Sequence, residues 1–192
     1  MHPDDTGALV KSAASGDSRA WSALVARFGR LVWSVARAHG LRTADAEEVF
    51  QTTWLRLTEH VGRLNEPERV GAWLATTARN ESLKVIRAGG RITVTDDLQL
   101  LDRGADETPE RIALEAEEAT ERTERIGRVW SVFERLPARC QRLLRVLIAT
   151  PPLSYAEIAA TLEIPIGSIG PTRARCLARL RELMAAGGEY GA

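Results

Sequence analysis

Cysteine, histidine and methionine are scarce in this chain of 192 residues, which holds two, three and two of them. Cys140 and Cys176 stand without a CxxC partner or a histidine cluster, so no structural zinc site, no other metal and no cofactor is expected. A reducing cytoplasm is the expected compartment. No apolar run approaches the roughly 18–20 residues that a membrane-spanning helix needs, so no membrane insertion is expected. The opening MHPDDTGALV carries two acids and no apolar stretch, unlike a secretory signal. Strand signals are almost absent. Wholesale disorder is excluded by an ordinary composition, 44% hydrophobic and 27% charged. The length suits one domain or two small ones.

Net charge is also absent, but only in the sum. Residues 1–91 carry 13 Lys and Arg against 10 Asp and Glu, a net of +3. Residues 92–124 hold 3 basic and 11 acidic residues, a net of −8, and residues 125–192 hold 10 and 5, a net of +5. Two basic blocks flank an acidic connector, so the neutral total does not argue against a polyanionic partner.

What the chain has in quantity is helical periodicity. A short helix is expected around Ala8–Ser15. After Asp17, Trp21, Leu24, Val25, Phe28, Leu31, Val32 and Val35 recur every three or four residues on one face, capped by Asp17 and ended at Gly40. A third helix is expected from about Thr43, with Val49, Phe50, Trp54 and Leu57 apolar and Gly62 closing it. A fourth is expected from Asn65-Glu66-Pro67 to about Arg87, ended by Gly89-Gly90. Trp33 and Trp73 lie on apolar faces and read as core. Periodicity lapses from Arg91 to about Glu107 and resumes at Pro109. Later helices are built on Ile126, Val129, Trp130 and Phe133, stopped by Leu136-Pro137, and on Leu143, Leu144, Val146 and Leu147, stopped by Pro151-Pro152.

The most informative stretch follows. Ser154-Tyr155-Ala156-Glu157 fits a capping box at the start of a short helix. A turn at Glu163-Ile164-Pro165-Ile166 leads to a last helix, from about Gly167 to Met184, whose first turn holds Pro171. Leu162, Ile164 and Ile169 would plug the corner, and Ala159 and Ala160 suit a close helix crossing. Short helix, turn and longer basic helix make the helix-turn-helix layout. Arg173, Arg175, Arg179 and Arg181 would face DNA, opposite Ile169, Cys176, Leu177, Leu180 and Leu183.

Together these blocks resemble the bacterial sigma factors of RNA polymerase, specifically the short extracytoplasmic-function (ECF) type. Leu24–Phe28 and Leu31–Ala36 resemble the opening of sigma region 2. Asp45-Ala46-Glu47-Glu48-Val49-Phe50-Gln51 with Trp54-Leu55 is similar to the DAED-x-x-Q motif that docks on the polymerase clamp helices. Ala72-Trp73-Leu74 with Ala78-Arg79-Asn80 resembles the promoter-melting helix. Leu136-Pro137 with Arg139, and Tyr155-Ala156-Glu157-Ile158-Ala159, resemble region 4. Lys84 stands where the family often has Asp, and Gly170, Pro171 and Thr172 where Lys, Ser and Arg are common. Those departures bear on the promoter sequence read.

The resemblance implies an all-α fold of two small helical domains. Region 2 would span 1–91, an acidic flexible linker 92–124, the region 4 helix-turn-helix 125–186, and a tail 187–192. It implies a non-enzymatic, cytoplasmic factor that binds core RNA polymerase, at clamp helices and flap, and directs promoter-specific initiation. Asp45, Glu47, Glu48 and Gln51 would meet polymerase. Arg63, Asn65, Arg79, Asn80, Lys84, Arg87 and Arg91 would bind the minus-ten element, where Asn65 reads equally well as a helix cap. Ser168, Thr172, Arg173, Arg175 and Arg179 would bind the minus-thirty-five element. An anti-sigma factor is the implied regulatory partner. Two other readings remain open from sequence alone. One is a two-domain helix-turn-helix regulator that binds duplex operator DNA without polymerase. The other is a protein-interaction bundle with no need of an Arg-bearing recognition helix.

Overall fold

The computed structural model describes residues 6–89 and 127–188, so the acidic connector, Arg91 and residues 189–192 lie outside the described residues. Among these, four helices form an N-terminal module: α1 (Thr6–Ala14), α2 (Ser18–Ala38), α3 (Thr43–His60) and α4 (Val70–Arg87). Four more form a C-terminal module: α5 (127–134), α6 (Ala138–Leu147), α7 (Tyr155–Leu162) and α8 (Ile166–Gly188). The all-α expectation is borne out.

Helix α2 starts where Asp17 Oδ1 accepts from the backbone N–H of Arg19 at 2.9 Å and of Ala20 at 3.4 Å. That satisfies two of the donors every helix start leaves open. Its far end turns at Gly40, with φ +75°, a conformation that glycine adopts without penalty. Between these ends Leu24, Phe28, Leu31, Val32 and Val35 are all buried, and Ala46, Val49 and Leu57 of α3 and Val70, Leu74 and Ala78 of α4 close over them. Each large aliphatic side chain buried in this way contributes about 1.5–3 kcal/mol. The stretch expected to open α4 instead forms a 3₁₀ turn at Pro67–Arg69. Regular helix begins only at Val70, where the chain meets the core.

In the C-terminal module the buried Gln141 donates to the carbonyls of Glu134 and Leu136, each at 2.9 Å, and so fixes the corner between α5 and α6. Arg145 lies over the Trp130 and Phe133 rings at 4.9 and 5.0 Å. Both halves of the Ser154–Glu157 capping box are formed. The turn after α7 passes through Glu163 in the left-handed region, φ +54°, and Ile158 and Ile169 fill the corner with Leu162 and Ile164 beside them.

Two expectations are corrected, and two tertiary contacts are added. Ala160 is exposed rather than at a helix crossing. Pro171 lies inside α8, in its second turn, because the helix already starts at Ile166. Its neighbour Gly170 has no Cβ to meet the proline ring, which eases that placement. Cys140 and Cys176, which lack a CxxC partner or a histidine cluster, form a disulfide with each other, with Cα atoms 5.4 Å apart. Finally, the modules are packed together. Ala38, from the end of α2, is buried among Leu143, Val146, Ile158 and Ile169, while Ala149 and Leu153 join the N-terminal core.

Two predictions test this packing. A Cβ at Gly71 would lie 2.9 Å from Phe28 Cε1, a ring edge held in the core. Gly71→Ala is expected to lose about 1–2 kcal/mol in urea denaturation, since strain outweighs the better helix propensity of alanine. Adding dithiothreitol should remove about 4 kcal/mol from the C-terminal module, whose disulfide closes residues 36 apart in sequence. A melting temperature indifferent to reductant would contradict the bond.

Candidate nucleic-acid interface

The loop between α3 and α4 crosses the start of α4 and leaves an open cleft of about 560 Å³. Its walls are Arg63, Leu64, Asn65, Glu66, Arg69, Ala72, Trp73 and Thr76. The volume falls in the range of small-ligand pockets. Neither the 3₁₀ turn nor α4 has a side-chain cap, and their cap positions are Glu66 and Arg69, so Asn65 is not engaged as a helix cap. Its amide offers one acceptor and two donors, the pairing capacity that a base edge requires. Arg63 and Arg69 add positive charge, although Arg69 is paired with Glu66 at 2.8 Å.

Trp73 was expected in the core. It is half-buried instead: it packs partly on the core, stacks near the His60 ring at 6.0 Å and forms one wall of the cleft. An indole so placed can stack on an unpaired base. Periodicity could not separate these roles, because a cleft wall and a core wall fall on the same helical stripe.

Beyond the cleft, Asn80, Lys84 and Arg87 are exposed on α4 at helical spacing, so they share a face. Arg79 turns aside: it donates to Asn80 Oδ1 at 2.9 Å and pairs with Glu163 of the helix-turn-helix turn. Lys84 is held by Glu81 at 2.7 Å, and Glu81 also receives Arg56 Nε at 3.1 Å. Burial opposes the charged carboxylate of Glu81, but hydrogen bonds and charge from Lys84 and Arg56 outweigh it and hold its pKa below the ordinary value. Arg56 was not singled out in the sequence, since its partner is 25 residues away. Arg91 lies outside the described residues.

On α3, Glu47, Glu48, Gln51 and Leu55 are exposed, whereas Asp45 turns back to Arg42 at 3.1 Å. Spacings of three and four give Glu48, Gln51 and Leu55 a common face. On α8, Arg173 and Arg175 are exposed, Arg175 reaches Thr172 Oγ1 at 3.4 Å, and Arg179 pairs with Glu182 at 2.9 Å. Ser168 is half-buried and donates to the Pro165 carbonyl at 2.7 Å, so its hydroxyl serves the helix start. The predicted sites thus form three surfaces: a cleft running into a cationic face, an acidic face on α3 and the arginine-bearing face of α8.

Cleft, cationic helix face and helix-turn-helix layout stand together on one helical two-module chain. Comparison with known proteins narrows the class. Residues 24–92 match the family model for sigma-70 region 2. An ECF RNA polymerase sigma factor, SigE of Mycolicibacterium smegmatis, is 28% identical over 96% of this chain and 71% of its own. The RNA polymerase sigma factor CnrH of Cupriavidus metallidurans is 26% identical over 98% of this chain and 100% of its own. The Escherichia coli sigma-E factor is 25% identical over 84% of each. The solved structure of CnrH in complex with the cytosolic domain of CnrY shares the fold, with a TM-score of 0.56, 24% identity, and coverage of 94% of this chain and 97% of that one. The chain thus carries a match to sigma-70 region 2 and is similar along most of its length to sigma factors of the ECF type.

A titratable group marks the seam between the modules. His39, after α2, has its Nε2 buried without a partner, and its pKa is lowered from 6.5 to about 4. Burial is the main cause, followed by the charges of Arg142 and Arg79, with Glu163 opposing. Below pH 6.5 the unfolded chain takes up a proton that the folded chain refuses until about pH 4, so stability falls through that window. Between pH 7 and pH 5 the loss from His39 should be about 2 kcal/mol, and His39→Gln should flatten the denaturation profile by that amount.

Proposed function

We propose that this chain docks on core RNA polymerase as its promoter-specificity subunit, with no catalysis of its own, and that it acts in the cytoplasm. The exposed Glu47, Glu48 and Gln51 meet the clamp helices, and the C-terminal module, spanning 125–186, meets the flap. The N-terminal module, 1–91, recognises and melts the minus-ten element. Arg173, Arg175 and Arg179 engage the minus-thirty-five element. Among the described residues no helix is long and apolar enough to cross a membrane, which is compatible with that compartment.

The observation that carries this reading is the cleft beside α4. Flipping a base out of a duplex costs a few kcal/mol. Stacking on Trp73 would return about 1–3 kcal/mol, and Asn65 would read the base edge. Asn80, Lys84 and Arg87 continue from there as a path for the strand's phosphates. A regulator that binds only duplex operator DNA leaves this cleft and residues 24–92 without a role. CnrH in complex with the cytosolic domain of CnrY supports an anti-sigma partner for this chain.

Gel filtration with core RNA polymerase is the first test. The chain should co-elute with core, and Glu48→Arg plus Gln51→Arg should abolish co-elution while leaving the fold intact. Trp73→Ala should still co-elute but form open complexes roughly tenfold less well on a promoter that the assembled polymerase itself selects from genomic DNA. Absence of any complex, with duplex DNA still bound, would favour the operator-binding regulator.

A further inference from the structure

Helix α8 is anchored at three places. Among its described side chains Ile169, Cys176 and Leu183 are the buried ones, each seven residues, about two turns, from the next. Ile169 fills the corner with Ile158, and Leu183 packs in the cluster of Phe133 and Leu144. Cys176, midway, is bonded to Cys140 of α6. The exposed Arg173, Arg175 and Arg179 lie between these anchors. The stretch leading up to Cys176 is a poor helix by itself. Gly167 and Gly170 are weak helix formers, and Pro171, inside the helix, has no N–H to donate to the Gly167 carbonyl. The covalent anchor stands little more than one turn beyond that weak stretch.

The bond takes up both cysteines of the chain. A disulfide of this span supplies a large part of the stability that a module of about sixty residues has in total. In a reducing compartment such a bond is seldom permanent; where one occurs, it is usually transient and redox-sensing. Cys140 lies in the first turn of α6, one residue after Arg139 and two before Arg142, surroundings that make a thiol nucleophilic. It is 5% exposed and Cys176 1%, so exchange at either sulfur proceeds through a local opening of the module.

We propose that Cys140 and Cys176 form a thiol–disulfide switch that sets how firmly α8 grips duplex DNA. The oxidised chain holds α8 at three points and presents its arginines in one register. The reduced chain holds it at two, loosens over residues 166–172 and binds more weakly. Closing the switch takes a hydroperoxide. The Cys140 thiol becomes a sulfenic acid as one water leaves; the Cys176 sulfur then attacks that sulfur, the S–S bond forms and a second water leaves. Opening it takes a dithiol reductant. One of its thiolates attacks the Cys140 sulfur, Cys176 departs as the thiol, and the second thiolate displaces Cys140. The reductant ends as a disulfide, and the chain gains two electrons and two protons. The inference rests on the reading of α8 as the minus-thirty-five contact and adds a control to it.

The test uses the full chain, reduced with dithiothreitol or oxidised with one equivalent of hydrogen peroxide, with free thiols counted by alkylation and mass spectrometry. Each form is cleared of reagent and mixed with core RNA polymerase. Fluorescence anisotropy then gives the affinity for a duplex promoter fragment that the assembled polymerase selects. If reduction leaves about one chain in ten with α8 in the competent register, the reduced form should bind about tenfold more weakly. Peroxide should restore both the bond and the affinity, while Cys140→Ala, which cannot form the bond, should bind weakly and respond to neither reagent. Equal affinity of the two forms overturns the switch. So does a bond that dithiothreitol leaves intact in the native chain, or a loss on reduction that peroxide does not reverse, either of which marks a structural staple only. Co-elution with core should be the same in both forms, and its loss on reduction would put the effect on polymerase docking and overturn the switch as stated. Failure of the underlying reading shows separately: neither form would co-elute with core, while the free chain's affinity for a mixed-sequence duplex 30-mer would still report whether the bond controls DNA binding.

Discussion

The apolar stripe along α2 is the feature on which every other element depends. Leu24, Phe28, Leu31, Val32 and Val35 are its buried rungs, and α1, α3 and α4 all lean on them. The same helix continues to Ala38, which enters the core of the other module. One helix therefore sets the pitch of α4 beneath the cleft and also fixes where the helix-turn-helix lies. The closeness of α2 and α4 depends on a missing side chain, since Gly71 faces Phe28 where any Cβ would collide. The wall carrying Trp73 is positioned by that contact two residues earlier.

Polar groups then set how the charges are presented. The chain is neutral in sum, yet its cations are gathered and held by a few acids. Glu81, nearly buried, ties Arg56 of α3 to Lys84 of α4 and so gives two flexible side chains a shared anchor. Charged hydrogen bonds of this kind are stronger than neutral ones, which is how a buried carboxylate keeps its charge against desolvation. Pairing reduces the number of open cations and restricts the rotamers of the side chains it holds.

The helices were legible because their physics is local. The Asp17 cap, the Gly40 terminator and the Ser154–Glu157 capping box each need only neighbouring residues, and all three form. The order of the motifs also indicated the similarity to sigma factors. The contacts that required tertiary structure were not legible. Nothing near Cys140 indicates Cys176, nor does anything near Arg56 indicate Glu81, because those partners meet only when helices cross. Trp73 was read as core because a periodicity of 3.6 identifies a face without saying what covers it. For Asn65 the sequence reads equally as cap and as base reader, and the turn at Pro67–Arg69, which shifts the start of α4 past it, removes the cap.

The disulfide has a topological consequence. It joins α6 to α8 across a stretch that contains all of α7 and the turn through Glu163. A protease that cuts once between residues 141 and 175 would therefore leave both pieces covalently attached. Helix α8 would part from the rest of the chain only after reduction, so the bond makes the helix-turn-helix of this module indivisible under oxidising conditions.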